Sequence, residues 1–566
     1  MPVIATAGHV DHGKSALVRA LTGIEPDRYR EERERGLTLD LGFAHTTTSD
    51  GVVLDLVDVP GHVDYLRTMI AGMAEASIAL LVVDAREGMR EQTREHLLVI
   101  ESLGVSTGVV AISRVDLVDG ERLREVRDDI VARLRTSSVT WSAVVDTSAT
   151  EGIGIAELSD ELARAVEACA HAGNERNLMP ARLFIDRSFT VAGRGTVVTG
   201  TLGAGALAIG DELIHARTGA RTQVRGLQRH GNDIQMMTSG GRIAVNLTDI
   251  AVNDLARGDA LIAPGSWHET DVADVAVQLA ANATLGTGRG LTAHIGSARI
   301  PVNLRPVGGD SGVEHQWHRC RFESPLPLVP GDRCVLRRTG DGEVVGSFTV
   351  NDVHPVARPS LAQPDGTFDE QLRHHGWVTV ARAAMLTGRV VEPHVAGMVA
   401  AQSVVNKTRA ALLQQLVVGE VDLATLSPVE RELIQQTKGV TVEHGRARTA
   451  QHDAALDSPL LRRLREEGLS TSAIDAADRQ VLSRLVRLGA VVGHDDVYFH
   501  HEVIESLRPS LEALWSARPD GFTVAELRDA LGITRKHALP LVNCLDHLGL
   551  TKRVGDHRGR GRATHT

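Results

Sequence analysis

The sequence feature that most restricts the fold is the segment at positions 8–15, GHVDHGKS, which matches the phosphate-loop pattern GxxxxGK[ST]. It follows the apolar run Val3–Ala7, which reads as a buried strand, and it opens the stretch Lys14–Leu21, which has helical spacing. In this context backbone N–H groups surround phosphate oxygens, and the following helix N-terminus favours negative charge. The segment therefore predicts a nucleoside triphosphate site that contains Asp11, His12, Gly13, Lys14 and Ser15, with Ser15 as a ligand of Mg²⁺.

The residues that follow this loop continue to alternate apolar strands with helical stretches. Strand-like runs occur at Val53–Val59, Ile78–Asp84, Val109–Ser113 and Ala143–Thr147, and Gln92–Leu103 has the apolar spacing of a helix. Such an alternation predicts a parallel sheet covered by helices. We therefore expect an α/β domain over residues 1–175.

Two further motifs contain residues suited to phosphate chemistry. DVPGH at 58–62 ends an apolar strand, so Asp58 is placed to hold Mg²⁺ through water and Gly61 to let the backbone approach the γ-phosphate. His62 then lies where a side chain can orient the attacking water, which makes it the catalytic candidate. Thr38, in the charged segment 33–38, is a candidate second hydroxyl ligand of Mg²⁺ when a triphosphate is bound.

The residues after two later strands indicate which base is bound. SRVD at 113–116 places Asp116 where a buried carboxylate would accept hydrogen bonds from guanine. The two donors are the N1–H and the exocyclic amine of guanine, and adenine lacks this pair. TSA at 147–149 places backbone N–H groups near the guanine O6 position. The sequence thus predicts GTP, with Ser113, Arg114, Asp116, Ser148 and Ala149 on the base side.

The predicted secondary structure changes twice after this domain. Short alternating strands separated by Gly and Asp turns, over about 178–354, predict two antiparallel β-barrels, and 355–364 is a Pro/Ala-rich connector. Beyond Phe368 the chain becomes helical, and Leu460–His500 and Asp520–Arg553 each show a helix-turn-helix pattern with a strand or hairpin signal, which is typical of winged helices. The expected domains are a GTP-binding domain (1–175), barrels at 176–268 and 269–357, and a C-terminal tandem winged-helix region (358–566), for which the resemblance described below implies RNA binding.

Composition adds limits on location and partners. The net charge of −11 argues against a protein that coats nucleic acid without specificity, but Gly521 to the end has eight Arg/Lys against four Asp/Glu, a local +4. There is no apolar run of about 18 residues, so no membrane span is expected. Four scattered cysteines without a CxxC pattern favour neither a disulfide framework nor a zinc site, and so favour the cytoplasm.

The motifs GHVDHGKS, RGLT, DVPGH and TSA resemble those of translational GTPases, the relatives of elongation factor Tu. The guanine motif departs from the NKxD of that family, because Ser113 and Arg114 replace its asparagine and lysine, although Arg114 can still lie over the base. The resemblance implies an apolar gate of Val10 and Leu37 around His62, a monovalent cation near Asp11, and a monomer.

TLDLGF at 38–43, IDR at 185–187, GRIA at 241–244 and the long tail resemble the selenocysteine-specific elongation factors within that group. The resemblance implies a factor that carries selenocysteyl-tRNA to the ribosome with GTP hydrolysis and binds a hairpin in selenoprotein mRNA. It also implies a selenocysteyl pocket of Phe43, Asp186, Arg187 and Arg242. Asp186 would receive the α-amino group and hold Arg187 in place; the alternative is a structural Asp186–Arg187 ion pair.

The end of the tail contains the candidate residues for the mRNA hairpin. Arg535 and Lys536 begin a helix after a turn, where the recognition helix of a helix-turn-helix begins. Lys552 and Arg553 open a basic hairpin that also includes Arg558 and Arg560. RNA hairpins are read by backbone shape and by splayed loop bases, which such residues can contact.

Two other interpretations remain open at this stage. A GTP-regulated transcription regulator would use the winged helices on DNA, although the two barrels suit tRNA holding better. Another translational GTPase, such as a regulatory subunit in sulfate activation, would leave the tail without a role.

Overall fold

The structure is a computed structural model, and it describes residues 2–26, 40–62, 65–74, 76–171, 175–308, 317–449 and 455–561. Leu37 and Thr38, predicted as gate and Mg²⁺ ligand, lie outside the described residues. Contacts divide the chain into one unit of residues 1–393 with 399–401, and a second of 394–398 with 402–566.

The first part of the chain forms a six-stranded sheet. Its strands are β1 (Val3–Ala7), β2 (Gly42–Thr47), β3 (Val53–Asp58), β4 (Ile78–Asp84), β5 (Thr107–Ser113) and β6 (Thr140–Asp146). The order is β2-β3-β1-β4-β5-β6, and all neighbours are parallel except β2 and β3. The carboxyl ends of the parallel strands therefore share one edge, where ligands bind in open α/β sheets.

Helices cover both faces of this sheet. They are α1 (Lys14–Thr22), α2 (Leu66–Met73), α3 (Glu91–Leu103), α4 (Gly120–Leu134) and α5 (Ile155–His171). Leu17 of α1 and Leu158 of α5 belong to one buried cluster, whereas Met69 of α2, Ile100 of α3 and Ile130 of α4 belong to another. The inner strands β1, β3, β4 and β5 are buried on both faces, which explains why they read as continuous apolar runs rather than alternating ones.

The next strands close into a barrel. They are β7 (Arg182–Val191), β8 (Gly195–Ala204), β9 (Ala206–Ala208), β10 (Glu212–His215), β11 (Arg221–Arg229), β12 (Asn232–Ile234), β13 (Met236–Thr238), β14 (Gly241–Leu247) and β15 (Ala260–Ile262). The order β10-β15-β7-β8-β14-β11 closes through a β10–β11 pairing, β12 extends β11, and β9 pairs with β13 in a separate two-stranded sheet. Closure pairs the edge strands that an open sheet would expose.

A second closed barrel follows, and short elements complete the first unit. The barrel strands are β16 (Glu269–Leu279), β17 (Leu291–Ile295), β18 (Ala298–Pro306), β19 (Trp317–Pro327), β20 (Arg333–Arg338) and β21 (Val344–Asp352), in the order β16-β19-β18-β17-β20-β21. After it come α6 (Phe368–Arg373), β22 (Val378–Thr379), α7 (Val380–Thr387) and β23 (Met398–Val399).

The second unit repeats a helical arrangement with small antiparallel sheets. Its elements are α8 (Gln402–Val418), β24 (Val421–Asp422), α9 (Pro428–Gln435), β25 (Val440–Glu443), β26 (Arg446–Thr449), α10 (Pro459–Glu467), α11 (Arg479–Arg487), β27 (Val491–His494), β28 (Val497–His500), α12 (His501–Glu505), α13 (Arg508–Ala517), α14 (Val524–Leu531), α15 (Arg535–His547), β29 (Thr551–Val554) and β30 (His557–Arg560). Hairpins follow α11 and α15, as winged helices require.

These observations confirm the predicted fold class of an α/β P-loop domain, two barrels and winged helices. The predicted domain limits stay predictions. Among the described residues, no helix is both long and apolar enough to cross a membrane.

A buried ion pair joins the two barrels. The guanidinium of Arg182, on β7, donates to the Asp332 carboxylate over 2.6 and 2.8 Å. Burial alone would raise the pKa of the Asp332 carboxyl, but attraction and hydrogen bonds from Arg182 outweigh burial, so the pKa is lowered. Its contribution to stability is therefore present above the ordinary carboxyl pKa and is lost as the pH falls into the acid range.

We predict that Asp332→Ala lowers the stability of the barrel pair, because the buried Arg182 charge loses its carboxylate partner, a change that costs about 3–5 kcal/mol. Scanning calorimetry at pH 7 should show a lower unfolding temperature. Asp341→Ala is the matched control, because Asp341 is an exposed carboxylate beside Arg338. Equal unfolding temperatures for the two variants would contradict the assigned role.

Candidate functional site

The phosphate loop is braced by helix α3. The Gly8 N–H donates to His96 Nδ1 over 3.1 Å, and the Val10 N–H donates to the Gln92 side-chain oxygen over 3.2 Å. Gly8 has a φ of 133°, and a Cβ there would lie 2.2 Å from the Val82 carbonyl oxygen. The loop conformation thus depends on a glycine and on two α3 side chains one helical turn apart.

The residues predicted to hold phosphate and Mg²⁺ lie together. Lys14 Nζ donates to the Gly8 and His9 carbonyl oxygens over 3.1 and 2.9 Å. The Ser15 hydroxyl donates to the Asp58 carboxylate over 2.6 Å, and Thr6 donates to the same carboxylate over 2.7 Å. Burial raises the pKa of Asp58, against the effects of Ser15, Lys14 and Thr6. A hydroxyl and a carboxylate in contact fit Mg²⁺, which takes oxygen ligands.

Gly61 closes the other side of the phosphate cleft. A Cβ at this position would lie 2.5 Å from Lys14 Nζ and 2.8 Å from the Val10 nitrogen. Only glycine therefore lets this backbone approach the loop so closely. His62 follows directly, half-buried, and its carbonyl accepts the N–H of Tyr65 over 2.9 Å.

Three of the residues predicted on the base side already have partners within the protein. Ser113 donates to the His12 carbonyl over 2.7 Å, so it supports the phosphate loop, and Arg114 is held by Asp84 over 2.7 Å. The Ser148 N–H already donates to the Ile153 carbonyl, which leaves Ala149 as the candidate for the O6 position. Asp116 is exposed on a 3₁₀ turn, Val115–Leu117, and its contact with guanine stays a prediction.

Two buried histidines near the loop are neutral. Burial, with Lys14 and His9 adding to it, lowers the pKa of His96 to about 3, which leaves Nδ1 free of a proton to accept the Gly8 N–H. Burial and His9 lower the pKa of His12 to about 4, and His12 Nδ1 accepts the Asp84 N–H over 3.3 Å. His96 was missed because a histidine within a helical pattern carries no local signal of a contact 88 residues away.

Three of the four predicted pocket residues meet between the α/β domain and the first barrel. The guanidinium carbon of Arg242 lies 3.7 Å from the centre of the Phe43 ring. Arg242 donates to the Asp186 carboxylate over 2.9 and 3.1 Å, and to the Thr199 hydroxyl over 2.9 Å. Thr199, which the sequence did not single out, also donates to Asp186. An adjoining cavity of about 280 Å³ is lined by both Phe43 and Arg242.

The expected contact between Asp186 and Arg187 is wrong. Arg187 donates instead to the Asp40 carboxylate over 2.6 Å, across the boundary between the α/β domain and the barrel. The pairing of β7 with β8 shifts register between Ile185 and Arg187, so the regular alternation of the strand is interrupted at these residues. The two side chains are therefore directed to different partners.

A third contact crosses the same boundary, and it is the second that pairs an acid with basic groups. Asp55 on β3 accepts from Arg229 over 2.5 Å and pairs with His230, whose ring stacks on His45 with centroids 4.0 Å apart. We call the contacts Asp40–Arg187, Phe43–Arg242 and Asp55–Arg229/His230 the domain seam. On this seam the carboxylates belong to the α/β domain and the basic groups to the barrel.

The predicted RNA residues of the tail are mostly at the surface. Arg535 and Lys536 are exposed in the first turn of α15, and Lys552 and Arg553 are exposed on β29. Arg558, by contrast, is buried and donates to Asp546 over 2.8 Å, so it holds the hairpin to α15. Arg560 pairs with Glu512 over 2.6 Å. Both residues lie on β30 of the predicted hairpin, where Arg560 is exposed and Arg558 is buried, so Arg558 is structural rather than a surface contact for RNA.

The comparisons with known proteins agree with this geometry. Residues 1–168 match the elongation factor Tu GTP binding domain, and residues 514–559 match the winged helix of elongation factor SelB. The selenocysteine-specific elongation factor of Desulfomicrobium baculatum is 38% identical over 363 residues, 63% of this chain and 56% of that protein. The Escherichia coli (strain K12) selenocysteine-specific elongation factor is 29% identical over 98% of both chains. A crystal structure of a bacterial selenocysteine-specific elongation factor aligns with a TM-score of 0.63 at 24% identity, covering 99% of this chain and 100% of that one.

We predict that His96→Leu weakens binding of GDP and GTP about tenfold, because a buried Gly8 N–H without an acceptor costs about 1–3 kcal/mol. Titration with a fluorescent GDP analogue measures the affinity. His294→Leu removes a buried histidine of the second barrel and is the control that should keep the wild-type value. An unaltered affinity in His96→Leu would show that the loop holds its shape without this bond.

Proposed function

Because the chain belongs to the selenocysteine-specific elongation factors (SelB), translational GTPases related to elongation factor Tu, we propose that it delivers selenocysteyl-tRNA to the ribosome at a recoded UGA codon. In this proposal GTP hydrolysis, stimulated by the ribosome, releases the tRNA, and the tail binds a hairpin of the selenoprotein mRNA. The observation that carries it is the Phe43–Arg242–Asp186 cluster on the domain seam, next to a cavity of about 280 Å³.

The nucleotide half of the proposal uses the described P-loop residues. Lys14 and the loop N–H groups bind the phosphates, and Ser15 with Asp58 holds Mg²⁺, which offsets phosphate charge when bound. Gly61 admits the γ-phosphate, and His62 orients the attacking water, with Val10 and Leu37 as its apolar gate. Thr38 completes the Mg²⁺ shell in the triphosphate state. Asp116 and Ala149 contact the guanine base.

The cargo half depends on the charge of selenocysteine. A selenol is more acidic than a hydroxyl, so the selenocysteine side chain is anionic near neutral pH. Arg242 is only 22% exposed and lies against Phe43, so its charge is partly desolvated and attracts an anion more strongly than it would in water. The serine side chain is neutral and therefore has no comparable electrostatic attraction to Arg242. Asp186, which holds Arg242, also suits an α-amino group.

The tail supplies the connection to the message. Exposed Arg535 and Lys536 lie at the N-terminus of α15, where helix N–H groups also favour phosphate, and exposed Lys552 and Arg553 extend the basic surface. Binding the hairpin and the ribosome through one chain raises the effective concentration of the factor near the codon, to about the mM range for short linkers.

We predict that the GTP-bound chain prefers selenocysteyl-tRNA to the same tRNA charged with serine, and that Arg242→Ala removes most of the preference. Loss of a charged hydrogen bond of about 1.5–3 kcal/mol corresponds to about 10- to 150-fold in affinity. Competitive filter binding of the two tRNAs measures the ratio. Equal binding of both by the wild-type chain would contradict the proposed cargo.

We predict that Arg535→Ala combined with Lys536→Ala weakens binding of a selenoprotein mRNA hairpin and leaves tRNA binding unchanged. Each lost phosphate contact should reduce the salt slope of binding by about 0.7–0.9. Gel shifts at several salt concentrations, with duplex DNA of equal length as competitor, test this. Arg560→Ala, at a residue already paired with Glu512, is the control. Preference for duplex DNA would favour a transcription regulator.

A further inference from the structure

We infer that Asp40 is an internal competitor of the cargo: its carboxylate occupies Arg187, and an anionic selenocysteine side chain must displace it. The inference rests on the proposed function, and it takes Arg187, which follows Asp186 on β7, as a second basic group for the anionic cargo beside Arg242. It adds a regulatory residue that the pocket of Phe43, Asp186, Arg187 and Arg242 does not include.

The contact between Asp40 and Arg187 is short and partly shielded from water. Arg187 Nη2 lies 2.6 Å from Asp40 Oδ2, and the two side chains are 29% and 28% exposed. Asp40 comes three residues before Phe43, and Arg187 pairs across β8 with Thr199, which itself bonds Arg242. The ion pair therefore lies on the domain seam, beside the cluster that we assign to the cargo.

The two carboxylates that hold the pocket arginines differ in the domain that carries them. Asp186 and Arg242 both belong to the first barrel, so their pair stays intact whatever the α/β domain does. Asp40 lies just before β2 of the α/β domain and Arg187 lies on β7 of the first barrel, so their pair joins two domains. Asp186 is thus suited to position Arg242, whereas the Asp40 contact is the one that can be exchanged for another anion.

Charge determines the direction of the effect. A carboxylate and a selenolate at one guanidinium repel each other, and at partial burial that repulsion is larger than in water. Selenocysteine therefore has to break the Asp40–Arg187 pair, whereas a neutral serine leaves it intact. Removing the Asp40 charge should strengthen binding of selenocysteyl-tRNA and leave seryl-tRNA almost unchanged. If Asp40 only positioned Arg187, the same change would weaken binding.

The competition would help the factor to release its cargo. Asp40 follows Thr38, the predicted switch residue, by two positions in the sequence. Asp40, whose carboxylate would pair with Arg187 again, is thus close in sequence to Thr38, the residue assigned to contact the γ-phosphate. Re-formation of the ion pair would then disfavour rebinding of the selenocysteine side chain.

The test is a double-mutant cycle on the full chain loaded with GTP, with selenocysteyl-tRNA and seryl-tRNA as probes. We expect Asp40→Asn to raise affinity for selenocysteyl-tRNA about fivefold, the size of a partly shielded ion pair, and affinity for seryl-tRNA by less than about twofold. Asp40→Ala should act in the same direction. In the Arg187→Ala background, Asp40→Asn should not change the affinity for selenocysteyl-tRNA, because the guanidinium for which Asp40 and the cargo compete is absent.

Asp129→Asn is the matched control, since it removes another arginine-paired carboxylate of the α/β domain, far along the chain from the seam. Unchanged or weaker binding of selenocysteyl-tRNA in Asp40→Asn would overturn the inference, and so would an effect that persists without Arg187. A wild-type chain with GTP that does not distinguish the two tRNAs would instead contradict the proposed function itself.

Discussion

The contacts between carboxylates of the GTPase domain and basic groups of the first barrel are the interaction on which the candidate cargo site depends. Asp40 and Asp55 stand on the GTPase side, and Arg187, Arg229 and Arg242 on the barrel side. Because these groups are only partly exposed, each contact is stronger than a surface ion pair, and each is also sensitive to any new charge. A pocket built from such a seam is suited to an anionic cargo.

The nucleotide site depends on a second set of contacts, which are internal to the GTPase domain. The loop that receives phosphate is held by Gln92 and His96 of α3, and by Ser113 after β5. Helix α3 also packs against β20 and β21 of the second barrel. The helix that shapes the phosphate loop is therefore in contact with another domain, which gives the barrels a physical connection to the nucleotide.

Motifs with fixed local spacing were predictable from sequence, because their geometry is set by neighbours along the chain. Lys14, Ser15, Asp58 and Gly61 converge as expected, and predicted strands such as Val53–Val59 differ from the observed ones by a residue or two. Side-chain partners were less predictable. The exposure of Asp116, the burial of Arg558 and the engaged N–H of Ser148 each depend on residues that are distant in sequence or on local turns without a clear pattern.

The sequence by itself determined the class of protein: a P-loop domain with Mg²⁺ and guanine motifs, two barrels and a winged-helix tail, since periodicity and glycine spacing are local properties. Only the tertiary structure decided which charges face each other. Asp186 turned out to hold Arg242, and Asp40 to hold Arg187, because register at a β-bulge and the docking of two domains set those distances. Coulomb interactions depend on separation in space and on burial, and neither is encoded in the order of residues along one strand.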